Sequence, residues 1–266
     1  MMSLGDIVYE GAKSLVRRHI YRYYSTDLKV LGKENIPQEG SLIYSVTHLY
    51  KMQGSFLAGL AIDERVHYWA DSPFFSVREA IPYFHHHHEE ENPGQFSNYF
   101  KSLGLGLLTP SLFNILEFVP VPRYVDKDNT EGLRKMYKKT NEILSRGDRL
   151  MILSDASNTV FERDNYGCKE FNQGTIIAAR KYLRSTGADS LPIQIVVSHK
   201  DNYSTLFGQP CYVKKEYILN TKSKQVKKQG TAILQQGRDN LMEILWSSLS
   251  DEEKVRQSKQ IWDFLK

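Results

Sequence analysis

Three polar sets in this chain each stand directly after a short apolar run. His48 follows Leu42–Val46 and Thr47, Arg123 follows residues 118–122, and Asp155, Ser157 and Asn158 follow residues 150–153 and Ser154. An imidazole titrates near neutrality and can take up or release a proton. A guanidinium is a permanent planar cation with several fixed donors, suited to an oxyanion, and a carboxylate can orient an imidazole and favour its charged form. The plain alternative for a lone histidine at the end of an apolar run is a half-buried ring whose hydrogen bonds are satisfied. The elements around these residues decide between the two.

The run at 42–46 is β-prone and residues 49–61 are helix-compatible. His48 is thus placed at a strand-to-helix junction, where unpaired backbone N–H groups and an open crevice are expected. Residues 66–70, 118–121, 150–153 and 191–197 predict further strands, with short ones at 27–30 and 211–214. Helices are expected over 4–24, 111–116, 131–146, 171–182, 231–248 and 252–265. Strand and helix alternate, which predicts an α/β fold, a single domain with a mostly parallel central sheet flanked by helices. The chain divides into an N-terminal amphipathic helix over 1–27 and an α/β domain over 28–266, with an irregular insertion at about 80–105. Loops that follow parallel strands share one rim of the sheet, so the three polar sets can meet in one site.

Composition narrows the partners. Of 266 residues 41% are hydrophobic, enough for a sizeable core, and the sixteen Tyr and twelve Phe suit buried rings or contact with an amphipathic ligand or surface. A net charge of +4 falls short of a nucleic-acid signature and no nucleic-acid motif is present, so no nucleic-acid partner is expected. The two cysteines, Cys168 and Cys211, have neither disulfide-framework nor metal spacing, which fits a reducing, cytoplasmic setting. The first residues, with Asp6 and Glu10, do not read as a secretory signal, and no run is apolar enough to predict a transmembrane helix.

Residues 4–24 carry Ile7, Val8, Ala12, Leu15 and Val16 on one face and Lys13, Arg17, Arg18 and Arg22 elsewhere. Such a helix packs its stripe on the domain or lies peripherally on an anionic membrane at its inner face, and the apolar stretch at 103–122 is a second candidate for that contact. The four histidines at 85–88 are followed by three glutamates. Consecutive side chains do not converge on one ion without a special backbone path, so a solvated loop is expected there and no metal site is assigned. A solvated loop is also expected over the lysine-rich residues 214–228.

A set of motifs then falls in order. Val30-Leu31-Gly32 with Glu34-Asn35-Ile36-Pro37 leads into Thr47-His48 and, after four intervening residues, Gln53. Phe118-Val119-Pro120-Val121-Pro122-Arg123, Leu153-Ser154-Asp155-Ala156-Ser157-Asn158-Thr159, Phe171-Asn172-Gln173-Gly174, Leu191-Pro192-Ile193 and Phe207-Gly208-Gln209-Pro210 follow. In these the chain resembles the glycerolipid acyltransferase family, which contains the lysophosphatidic acid acyltransferases, from about residue 28 to 248. It departs from the family pattern at Gln53, where the family has aspartate, at Asp155 for glutamate, at Asn158 for arginine and at Asn172 for lysine.

The resemblance implies acyl transfer from a thioester, acyl-CoA or acyl carrier protein as co-substrate with no further cofactor, to a hydroxyl or amine acceptor. It implies His48 as general base, with Gln53 or Asp155 orienting the ring, and Arg123, Ser157, Asn158 and Asn172 on the acceptor side. The lost cations point away from ordinary glycerol phosphate as acceptor. Two alternatives follow from the same departures. One is a catalytically inactive homologue that binds acyl chains or membranes. The other is a thioester or ester hydrolase, for whose covalent form no Gly-x-Ser-x-Gly elbow is present.

Overall fold

The computed structural model describes residues 4–24, 29–47, 53–91, 96–122, 130–154, 171–199 and 204–247. In chain order these form α1 (Leu4–Tyr24), β1 (Lys29–Leu31), β2 (Leu42–Val46), α2 (Gln53–Ala61), β3 (Val66–Asp71), α3 (Val77–Glu91), α4 (Phe96–Ile115) and β4 (Val119–Val121). There follow α5 (Thr130–Ser145), β5 (Arg149–Leu153), α6 (Gly174–Thr186), β6 (Ser190–His199), β7 (Ser204–Phe207), β8 (Cys211–Lys214), α7 (Lys215–Asn220) and α8 (Ser223–Ser247). The fold is α/β with mostly parallel strand pairing, as the alternation of elements predicts. The chain packs as two compact units, residues 15–66 with 141–266 and residues 1–14 with 67–140.

The larger unit is built on β2. All five of its residues are buried, with β5 paired along one edge and β6 along the other, both parallel, and with α2 and α6 packed against the strand. Such cover is why the strand reads as an apolar run interrupted only by Ser45. Strands run in the order β1-β7-β6-β2-β5. Both β7 and β8 run antiparallel to β6, β7 opposite Val196 to His199 and β8 opposite Ser190 to Ile193. Between them Gly208 N donates to Ile195 O at 3.0 Å and Gln194 Nε2 donates to Gly208 O at 2.8 Å, so the edge stays hydrogen-bonded across the break. Gly32, just after β1, has φ +71, and a Cβ there would collide with Phe207 O. Only glycine accepts both conditions cheaply. Asn35 Nδ2 donates to the same carbonyl at 3.0 Å and Gln209 Nε2 to Asn35 Oδ1 at 2.6 Å. Two motif words distant in sequence therefore serve one joint of the scaffold.

The smaller unit contains the parallel pair β3–β4, with Trp69 opposite Val119, and the closely packed helices α3 and α4. Within the irregular stretch expected at about 80–105, the described residues 80–91 and 96–105 are helical instead. Phe74 stacks with Phe84 at 5.6 Å and meets Tyr83 at 4.8 Å and Phe113 at 5.5 Å, edge-on in both cases. Phe113 continues the cluster to Phe118 at 4.9 Å. Tertiary burial of rings outweighs the weak helix preference of consecutive histidines, which the local sequence alone does not reveal. His85 to His88 thus lie in α3. The short helix expected at 111–116 is the last turn and a half of α4, which runs through Pro110.

The lysine-rich segment expected as a loop is also helical. Ile218 of α7 and Val226 and Leu234 of α8 are buried, and that apolar stripe holds helices whose outer faces carry the lysines. The strand β7 was not among the expected strands, because Ser204 and Thr205 look like loop residues. They are buried, with Thr205 Oγ1 3.1 Å from Ser198 Oγ of β6. The helix expected at 252–265 lies outside the described residues.

Candidate active site

The register of β2 and β5 sets Val46 opposite Leu153 at the carboxyl ends of both strands. Hydrogen bonding continues one residue beyond. Ser154 N donates to Val46 O at 3.0 Å, while Thr47 N donates to Val196 O of β6 at 3.2 Å. Thr47 and Ser154, the residues immediately before His48 and Asp155, therefore stand on neighbouring strands, about 5 Å apart at the backbone. The connection from β5 through α6 to β6 carries the chain from one flank of β2 to the other. In open α/β sheets the crevice outside such carboxyl ends is where ligands bind.

A third segment is tied to the same place. Asn172 N donates to Ser154 O at 2.6 Å, and Asn172 Oδ1 accepts from Gly174 N at 2.8 Å, the first residue of α6. The asparagine thus closes a turn onto the helix and fastens it to the end of β5. Phe171 before it is held by its N–H, which donates to Gln235 Oε1 at 2.8 Å, and by the Arg238 guanidinium 5.7 Å from its ring centroid. Arg238 pairs with Asp239, to which Gln235 Nε2 also donates.

Beneath the rim runs a buried chain of hydroxyls. Ser45 Oγ lies 2.6 Å from Ser154 Oγ, which lies 2.8 Å from Thr175 Oγ1 in the first turn of α6. Each hydroxyl can serve as donor or acceptor, and the two bonds tie β2, β5 and α6 together at their common end. Thr47 is wholly buried, and its Oγ1 has no hydrogen-bond partner among the described residues. Ser45, Ser154 and Thr175 were not singled out as site residues. For Ser45 and Ser154 the available signal was a hydroxyl set inside or directly after an apolar run.

Of the residues singled out from sequence, Asn172 is the one whose side chain is described. Gln53 begins the described part of α2 by its backbone. His48, Arg123, Asp155, Ser157, Asn158 and the side chain of Gln53 lie outside the described residues. The structure brings together the chain positions before His48, before Asp155 and at Asn172. No protein-family model and no curated protein matches this chain.

Proposed function

We propose that this chain is an acyltransferase that moves an acyl group from a thioester, on coenzyme A or acyl carrier protein, to a hydroxyl or amine acceptor. His48 takes the acceptor proton as the oxygen or nitrogen attacks the thioester carbonyl. The carbon–sulfur bond breaks and the thiol leaves with a proton returned by the imidazolium. The resemblance assigns Arg123 to the acceptor or the developing oxyanion, Asp155 or Gln53 to the orientation of the ring, and Ser157 and Asn158 to the acceptor. The observation that carries this reading is the register of β2, β5 and β6, which delivers Thr47 and Ser154 side by side and ties Asn172 to them. The ordered motifs of the sequence supply the chemistry for that rim.

Gln53 and Asn172 favour a second reading, an inactive homologue that binds acyl chains. Gln53 is uncharged where a carboxylate would stabilise the imidazolium. Asn172 spends its carbonyl on Gly174 N rather than supplying a cation. An aspartate-to-asparagine change in the serine-protease triad costs about 10⁴-fold in turnover.

Purified chain assayed with acyl-CoA and acyl carrier protein donors, against a panel of alcohols and amines, separates these readings. His48→Ala is expected to lower turnover by about 10²–10⁴-fold, and unchanged turnover would remove the assignment. Gln53→Asp is expected to raise it. A Gln53→Asp protein that stays inert with every donor while still binding acyl-CoA supports the second reading. Free acid released without any acceptor indicates a hydrolase.

A further inference from the structure

The helix α4 is built inside out for a helix in water. Its buried stripe is Asn98, Ser102, Gly106 and Pro110, one every fourth residue, and it faces α3 closely enough that a Cβ on Gly106 would lie 2.9 Å from Ile81 N and Cα. On the opposite face Phe100, Leu107, Leu108 and Ile115 recur at intervals of seven, eight and fifteen residues. Phe100 is 58% exposed, Leu107 51% and Leu108 70%. With Tyr99 and Leu105, α4 holds six of the fourteen exposed large hydrophobic residues among the described ones, which makes this a concentrated patch rather than the usual scatter.

We infer that the outer face of α4 lies in the acyl layer of an anionic lipid bilayer, as a monotopic attachment. Small and polar residues at the helix–helix seam with large apolar ones outside is the arrangement favoured where the surroundings are hydrocarbon, since no hydrophobic gain then draws leucine inward. Lys101 is the single charge among the twenty residues of α4, which carry no Asp or Glu. It is exposed and directly follows Tyr99 and Phe100. Aromatic rings beside a lysine that extends its ammonium outward match the headgroup level of an anionic membrane. No helix among the described residues is long and apolar enough to cross a membrane, so α4 lies along the interface. This inference stands on α4 alone and does not require acyl transfer.

The test uses the full chain and sucrose-loaded vesicles of phosphatidylcholine, with and without phosphatidylglycerol. The chain is expected to co-sediment, more strongly with phosphatidylglycerol. L107S/L108S should lower partitioning roughly tenfold or more with an unchanged circular-dichroism melt, and K101E should remove the increment due to phosphatidylglycerol. Independently, the emission of L108W should shift to the blue on vesicles and be quenched by brominated acyl chains. Absence of wild-type chain from the vesicle pellet, or an unquenched L108W, overturns the inference. So does a dimer in lipid-free sedimentation equilibrium that L107S/L108S dissociates, since the face then belongs to a second copy.

Discussion

Arg149, 3% exposed, opens β5 at the end of the strand remote from the candidate site. Its Nη1 donates to Tyr44 Oη at 3.0 Å, its Nη2 to Pro37 O at 2.7 Å and Gln38 O at 3.0 Å, and its Nε pairs with Glu64. A planar fork can reach a carboxylate, a phenol and two carbonyls at once, whereas an ammonium on a flexible stem cannot. Arg149→Lys should therefore cost about 1–3 kcal/mol, because it leaves the buried Tyr44 hydroxyl and two part-buried carbonyls short of a donor. The measurement is urea unfolding, with a lower midpoint and an unchanged slope; a loss under about 1 kcal/mol would show the fork to be redundant. Leu153 lies about 13 Å along the strand, so the acyl-CoA binding proposed for that end should survive the substitution. Asn172 teaches a different lesson at this scale. The resemblance implies a place for it on the acceptor side, while its hydrogen bonds show it joining β5 to α6.

At the scale of elements, β2 was legible to the residue because burial on both faces writes itself into sequence as a mostly apolar run. The helices α3 and α4 were not, because what makes them helices is mutual packing. That packing yields a paired test. Gly106→Ala should destabilise the chain by about 1–3 kcal/mol, since the new methyl meets backbone atoms of Ile81 that cannot move aside. Gly104→Ala, in the same helix with nothing within 4 Å of the added Cβ, should stabilise by up to about 1 kcal/mol through helix propensity. Thermal unfolding of both variants reads the difference, and equal shifts would contradict the close approach of α3 and α4.

Across the whole molecule, the central strands come from residues 42–46, 149–153 and 190–199, so pairing requires closure over about 100 residues for β2 with β5 and about 150 for β2 with β6. Stability should be highest where that closure is rewarded on both sides. In hydrogen exchange followed by mass spectrometry, amides of Ile43 to Val46 and Ile193 to Val196 should exchange last. Those of β1 and β8, strands of three and four residues with mostly exposed or half-buried side chains, should exchange well before them. Protection of β1 equal to that of β2 would remove β2 from the centre of the unit.

The sequence by itself determined the α/β class, the boundaries of β2 and β8, and the identity of the polar residues that follow strands, because burial and turn chemistry act locally and leave periodic or compositional marks. Only the tertiary structure decided that Thr47, Ser154 and Asn172 share one rim, that Ser45, Ser154 and Thr175 link their hydroxyls beneath it, and that Asn35 meets Phe207 and Gln209. It also decided that α4 turns its leucines outward. Strand order, register and the facing of a helix depend on which distant segments come together, and no local pattern encodes that choice.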